Sequence, residues 1–104
     1  MEVTMSIRLD ALILKVLSHD EMHGHQIITE LNERSDGFFT LQTGTVYPLL
    51  KSLEKQELIA AHTALVSGRE RKIYSLTEAG KDYLQNELDK WREYYRAVEK
   101  VMSD

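Results

Sequence analysis

The chain has 104 residues, 42% of them hydrophobic and 29% charged, with no cysteine and a formal net charge of −4. That length suits one domain with a modest core, and the composition is that of a folded globular chain, not a disordered one. Without cysteine there is no disulfide framework and no thiolate zinc site; without an apolar run of ~20 residues or a signal-peptide pattern, no membrane span is expected and the expected location is cytoplasmic.

Leu9, Leu12, Ile13, Val16 and Leu17 recur at helical spacing and predict a first helix over about Ser6–Leu17, ended by the polar run Ser18-His19-Asp20-Glu21. Gly24 to about Glu33 reads as a second helix with Ile27, Ile28 and Leu31 inward, and Gly24 permits a neighbouring helix to come close. Asp36-Gly37 marks a turn, after which Phe38 and Phe39 are expected as core anchors. A third helix begins near Thr43–Thr45, either of which could cap it. Its apolar face is Val46, Leu49, Leu50 and Leu53, and Pro48 fits only within or close to the first turn, where amides lack helical partners.

A hairpin is predicted from roughly Leu58 to Leu76, turning at Ser67-Gly68. Strand alternation sends Tyr74 and Leu76 to the core face, with Lys72 on the same parity and Arg69 and Arg71 on the other. Thr77 is a good N-cap for a final helix, and Glu78 in its first turn suits the helix dipole. Within it Leu84, Leu88, Trp91, Tyr95, Val98 and Met102 follow heptad spacing over 19 residues. A helix of about 27 residues spans roughly 40 Å and must project beyond the domain, so a two-fold partner helix is expected along that seam. The expected fold is mainly α with a small β-hairpin: a winged helix-turn-helix unit over 1–76 and a long dimerisation helix over 77–104, together one compact unit.

Charge is unevenly spread. Residues 1–40 carry −4, residues 41–76 carry +2 and residues 77–104 carry −2. The positive stretch coincides with the third helix and the hairpin, a local footprint suited to phosphate. With the apolar face turned inward, Gln42, Thr43, Thr45, Tyr47, Lys51 and Lys55 point away from the core. Hydroxyls, an amide and ammonium groups are suitable donors to phosphate oxygens and base edges. At the hairpin tip Arg69, Arg71 and Lys72 supply three bases in four positions, as a wing against a DNA backbone requires. The plain alternatives are a solvated helix face and a charged tip that resists edge pairing.

His19, Asp20, Glu21, His23 and His25 are metal-ligand types, but His23 and His25 lie two apart, off any common helical face, and no metal site is expected. No nucleophile has an evident base and no Gly-rich phosphate loop is present, so neither catalysis nor a cofactor is expected.

The order Thr45-Val46-Tyr47-Pro48-Leu49-Leu50 with Leu53-Glu54, Gly68-Arg69 with Arg71-Lys72, and Tyr74-Ser75-Leu76-Thr77 through Gly80 resembles the PadR-type transcriptional regulators over nearly the whole chain. The resemblance implies a homodimeric winged helix-turn-helix protein, usually a repressor, whose third helix enters the major groove of double-stranded DNA while the wing meets the backbone. The short C-terminal part is similar to the small subfamily with a single dimerisation helix. The same resemblance makes Trp91 the candidate effector residue, since some small members hold planar aromatic molecules at the subunit interface; the alternative is that Trp91 simply fills the seam. Two departures stand out: His25, where the family more often has an aromatic residue, and Gln56-Glu57, where the usual glycine before the wing strand is absent. The rival reading from another class is a winged-helix protein-interaction module without operator binding.

Overall fold

The computed structural model describes residues 8–104, in which the chain order is α1 (Leu9–Leu17), β1 (Met22–His23), α2 (Gly24–Arg34), α3 (Thr43–Lys55), β2 (Ile59–Val66), β3 (Arg69–Leu76) and α4 (Glu78–Met102). The helix expected from about Ser6 begins instead at Leu9, with Arg8 in extended backbone as its N-cap; Ser6 and Ile7 lie outside the described residues. The architecture is the expected one: mostly helical, with a hairpin that forms two strands of a small antiparallel sheet.

α1 is the most buried helix because Ala11, Ile13, Leu14, Val16 and Leu17 clothe it on more than one face, and it packs against both α2 and α4. Ile27 and Leu31 of α2 and Val46, Leu50 and Leu53 of α3 complete the helical part of the core. Asp10 is buried in the first turn of α1. Its carboxylate accepts the Ala11 N–H and the Tyr83 hydroxyl of α4, with Arg8 Nε 3.4 Å away. A buried carboxylate needs such partners, so Asp10 ties α1 to the start of α4. Burial first, and then the Asp10 charge, raises the Tyr83 phenol above its ordinary pKa.

The sheet has the order β1-β3-β2. Its short first strand, which no sequence pattern announced, sets Met22 opposite Tyr74 and His23 opposite Ile73. The hairpin turns on Ser67 and Gly68, with φ of 52° and 78°. Two positive values in a two-residue turn match the right-handed twist of the flanking strands. Met22, Tyr74 and Ala61 line the face towards the core, as alternation required, while His23, Ile73 and His62 form a row on the opposite face.

Several expectations need correction. Phe38 is not a core anchor: it is 82% exposed and only makes an edge contact to Phe39, which alone reaches the core. Neither Thr43 nor Thr45 caps α3. Gln42 is the capping position and makes no side-chain cap bond, since the helix begins one residue earlier than a threonine cap would allow. Pro48 is the sixth residue of α3, in its second turn. There it lacks the N–H that would bond the Gly44 carbonyl, at an exposed position that water can reach.

α4 has 25 residues, and Thr77 caps it as expected by accepting the Gly80 N–H. The six-residue seam is divided, however. Leu84 is 6% exposed within the domain's own core and Leu88 packs against that core. Only from Trp91 onward does the stripe leave the domain: Trp91, Tyr95, Val98, Val101 and Met102 are exposed. The molecule is accordingly long, 57 × 29 × 23 Å, with a radius of gyration of 15.4 Å where a compact chain of this length would have about 13 Å.

Candidate nucleic-acid interface

α3 presents its polar side because its apolar residues take the spacings that face the core. Gln42, Thr43, Thr45, Lys51 and Lys55 are all exposed, and among the described residues neither lysine has an ion-pair partner. The threonines miss their capping role but keep their hydroxyls at the surface.

Tyr47 behaves differently from its neighbours. It is 38% exposed, because its ring lies over Gly24 at the start of α2. A Cβ built on Gly24 would come within 2.6 Å of that ring. The His25 ring meets Tyr47 edge-on at 6.3 Å. The expected close approach at Gly24 is thus an approach of this one side chain, and it fixes where the phenol of α3 points. No periodicity argument could have found the contact, because it depends on the angle between two helices.

His23 holds the other end of that contact. It caps α2 through its ring: Nδ1 accepts the Gln26 N–H, while the Gln26 side-chain oxygen accepts the His23 N–H at 3.0 Å. An imidazole can accept at Nδ1 only while that nitrogen is unprotonated. Burial, then Arg71, then His25 lower the His23 pKa from its ordinary value, which favours the capping form.

On the wing the three bases have three situations. Arg69 is exposed beside the turn. Arg71 is partly buried, and its Nε is shielded from water without a hydrogen-bond partner among the described residues. Lys72 is exposed but engaged within the protein. Its ammonium donates to Glu54 of α3 at 2.8 Å and stands 5.7 Å from the Tyr74 ring. The hydrogen bond to Glu54 is the main reason its pKa is raised.

The histidine-rich turn does not gather into a ligand set. His23 and His25 are edge-to-face at 6.4 Å, and among the described residues no group of three metal-ligating side chains converges. An open pocket of about 410 Å³ lies between this turn and α2, lined by charges of both signs such as Asp20, Glu30 and Arg34. On α4 the Trp91 and Tyr95 rings stack on each other, 5.3 Å apart and 26° from parallel. Among the described residues no helix is long and apolar enough to cross a membrane.

Three helices around a small sheet, with a basic hairpin beside an exposed third helix, define a winged helix-turn-helix protein. The model of the transcriptional regulator PadR-like family matches residues 13–86, and the chain belongs to that family. Transcriptional regulator Rv3488 of Mycobacterium tuberculosis is 32% identical over 85% of this chain and 82% of its own. The crystal structure of a PadR family transcription regulator from Clostridium difficile superimposes with a TM-score of 0.81 at 32% identity, covering 90% of this chain and 97% of that one. That of Bacillus subtilis PadR in complex with operator DNA gives a TM-score of 0.70 at 31% identity, covering 77% of this chain and 47% of that one.

Proposed function

We propose that the protein is a sequence-specific DNA-binding repressor that acts as a homodimer on a palindromic operator, with α3 in the major groove and the wing on the flanking backbone. The observation that carries this reading is the exposed face of α3, where Lys51 and Lys55, without ion-pair partners among the described residues, stand beside Gln42, Thr43 and Thr45, next to a wing bearing Arg69 and Arg71. Ammonium and guanidinium groups grip phosphates, and amide and hydroxyl groups read base edges. The similarity to a regulator solved with its operator DNA supports the same reading. Homodimerisation rests on the apolar stripe from Trp91 to Met102, which the domain leaves exposed; two such units related by a two-fold axis match a palindromic site.

Selection of duplexes from a random pool tests this directly. Enrichment of a two-fold symmetric sequence is the expected result, and a pool that stays random after several rounds refutes sequence reading. The rival interaction-module reading requires an uncharged or apolar outer face on this helix, and the lysines oppose it.

A planar aromatic effector is the finer part of the proposal. Trp91 is 37% exposed on the projecting stripe, with Tyr95 stacked beside it. A second copy would bring a symmetry-related pair of these rings against the first, with faces suited to a flat ligand. Trp91 is the only tryptophan, so quenching of intrinsic fluorescence by planar dyes reports such binding, and an unchanged spectrum across a panel of them counts against it.

A further inference from the structure

The wing is rooted in the core but its outer half has little to hold it. Ile59, Ala61, Tyr74 and Leu76 pack inward at the base of the hairpin. From the Thr63–Lys72 pair outward no residue of the hairpin belongs to the hydrophobic core of the described residues, and the tip residues Leu65, Ser67, Gly68, Arg69 and Glu70 are exposed. At that boundary a hydrogen-bonded ion pair crosses from the wing to α3: Lys72 Nζ to Glu54 Oε1, 2.8 Å. Other ion pairs among the described residues join near neighbours in sequence, apart from His62 and Glu21 at 4.0 Å.

We propose that Glu54 is a positioning residue for DNA recognition, holding Lys72 so that the wing and the recognition helix meet the duplex in one fixed relative orientation. The inference rests on the reading of α3 and the wing as a DNA-binding surface. Phosphate contacts set the register in which base contacts are made. A wing free to swing would grip the backbone in several registers, so the cost of losing Glu54 falls on discrimination between sequences more than on binding as such.

Simple electrostatics expects the opposite. Glu54 is a carboxylate on a helix directed at a polyanion, and removing it should strengthen binding to any DNA. Its place on that helix makes physical sense if its partner, not the DNA, is what it serves. The same bridge sets Lys72 apart from the free bases although its side chain is exposed: an ammonium already neutralised by Glu54 releases few counterions from DNA.

The test uses the intact protein and two duplexes, one enriched by selection and one scrambled, in anisotropy titrations over a salt series. Glu54→Gln is expected to lower the ratio of the two affinities by roughly two- to fivefold, while binding to the scrambled duplex is equal or tighter. Lys72→Met is expected to lower the ratio similarly and to leave the salt dependence unchanged. The exchanged pair, Glu54→Lys with Lys72→Glu, restores the ratio, and circular dichroism melts of all variants stay close to the parent.

Equal tightening on both duplexes by Glu54→Gln overturns the proposal, because the residue would then act only as a repelling charge. A salt slope that falls by about one per subunit in Lys72→Met also overturns it, since Lys72 would then be a phosphate contact in its own right. A parent protein without preference between the duplexes defeats the DNA-reading role itself, which separates that failure from a failure of Glu54.

Discussion

Glu57 sits where a glycine would be expected, and replacing it should stabilise the protein. It follows the C-cap residue of α3 with φ of 62°, in the left-handed region. The Leu58 N–H bonds the Leu53 carbonyl and the Glu57 N–H bonds the Glu54 carbonyl, both at 3.0 Å. This pair of bonds closes a helix end whose preferred residue at the left-handed position is glycine. An L-residue there costs roughly 1–2 kcal/mol, and glycine returns roughly 0.5–1 kcal/mol of that through the greater freedom of its unfolded chain. A carboxylate at a helix C-terminus opposes the dipole, so removing it adds about 0.3–1 kcal/mol where it is exposed.

The net expectation for Glu57→Gly is a gain of about 1 kcal/mol, equivalent to a Tm rise of roughly 4–8 °C for a domain of this size. Urea unfolding followed by circular dichroism measures it, at one protein concentration throughout because any dimer makes stability depend on concentration. Glu57→Ala is the control: it removes the charge and keeps the Cβ, so it should recover only the smaller electrostatic part. The backbone argument is refuted if the alanine variant is as stable as the glycine variant, or if the glycine variant is less stable than the parent.

Lys51→Ala should weaken DNA binding at unchanged Tm and lower the salt slope by about one per subunit, read by anisotropy; an unchanged slope removes Lys51 from the interface. Val98→Asp should leave the domain folded, because Val98 lies beyond the self-packed part of α4, yet shift sedimentation to a monomer by burying a charge in the partner contact. A dimer that persists places the interface elsewhere. For His23, the folded pKa lies below the unfolded one, so the unfolded chain binds the extra proton first. Its contribution to stability is therefore complete above the unfolded histidine range near pH 6.5 and is lost as pH falls through that range towards the folded value. His23→Ser, which caps without titrating, should reduce the acid loss in melts between about pH 7 and 5; an identical pH profile in the variant argues against this role for the ring.

The elements most visible in the sequence were those whose signal is local. The stripe of α3, the Ser67-Gly68 turn and the Thr77 cap each follow from a short pattern and appear at the expected residues, and the Leu-rich helix ends where expected but starts at Leu9, after an extended Arg8. What escaped depended on packing between distant segments. β1 has two residues, too few for a pattern, and exists because β3 offers an edge for it. Phe38 and Phe39 are identical in type, yet the turn at Asp36-Gly37 sends only the second inward. The heptad spacing of α4 is continuous from Leu84 to Met102, and only the position of α1 shows where the domain's own core ends and the exposed stripe begins.

The candidate interface divides in the same way. Exposure of Gln42, Thr43, Thr45, Lys51 and Lys55 followed from helical periodicity. The Gly24–Tyr47 contact and the Glu54–Lys72 bridge required the third dimension. The bridge joins residues 18 apart on different elements, and no spacing rule connects a helix position to a strand position at that separation.

The central claim is that the outer face of α3 reads DNA sequence. It is tested most directly by titrating the purified protein against a selected duplex and its scrambled counterpart, at several salt concentrations, beside a Thr45→Ala, Lys51→Ala double variant. Tight binding that prefers the selected duplex in the parent, and falls towards the scrambled value in the variant, is the predicted result. Equal binding of both duplexes by the parent, or an unaltered preference in the variant, contradicts it.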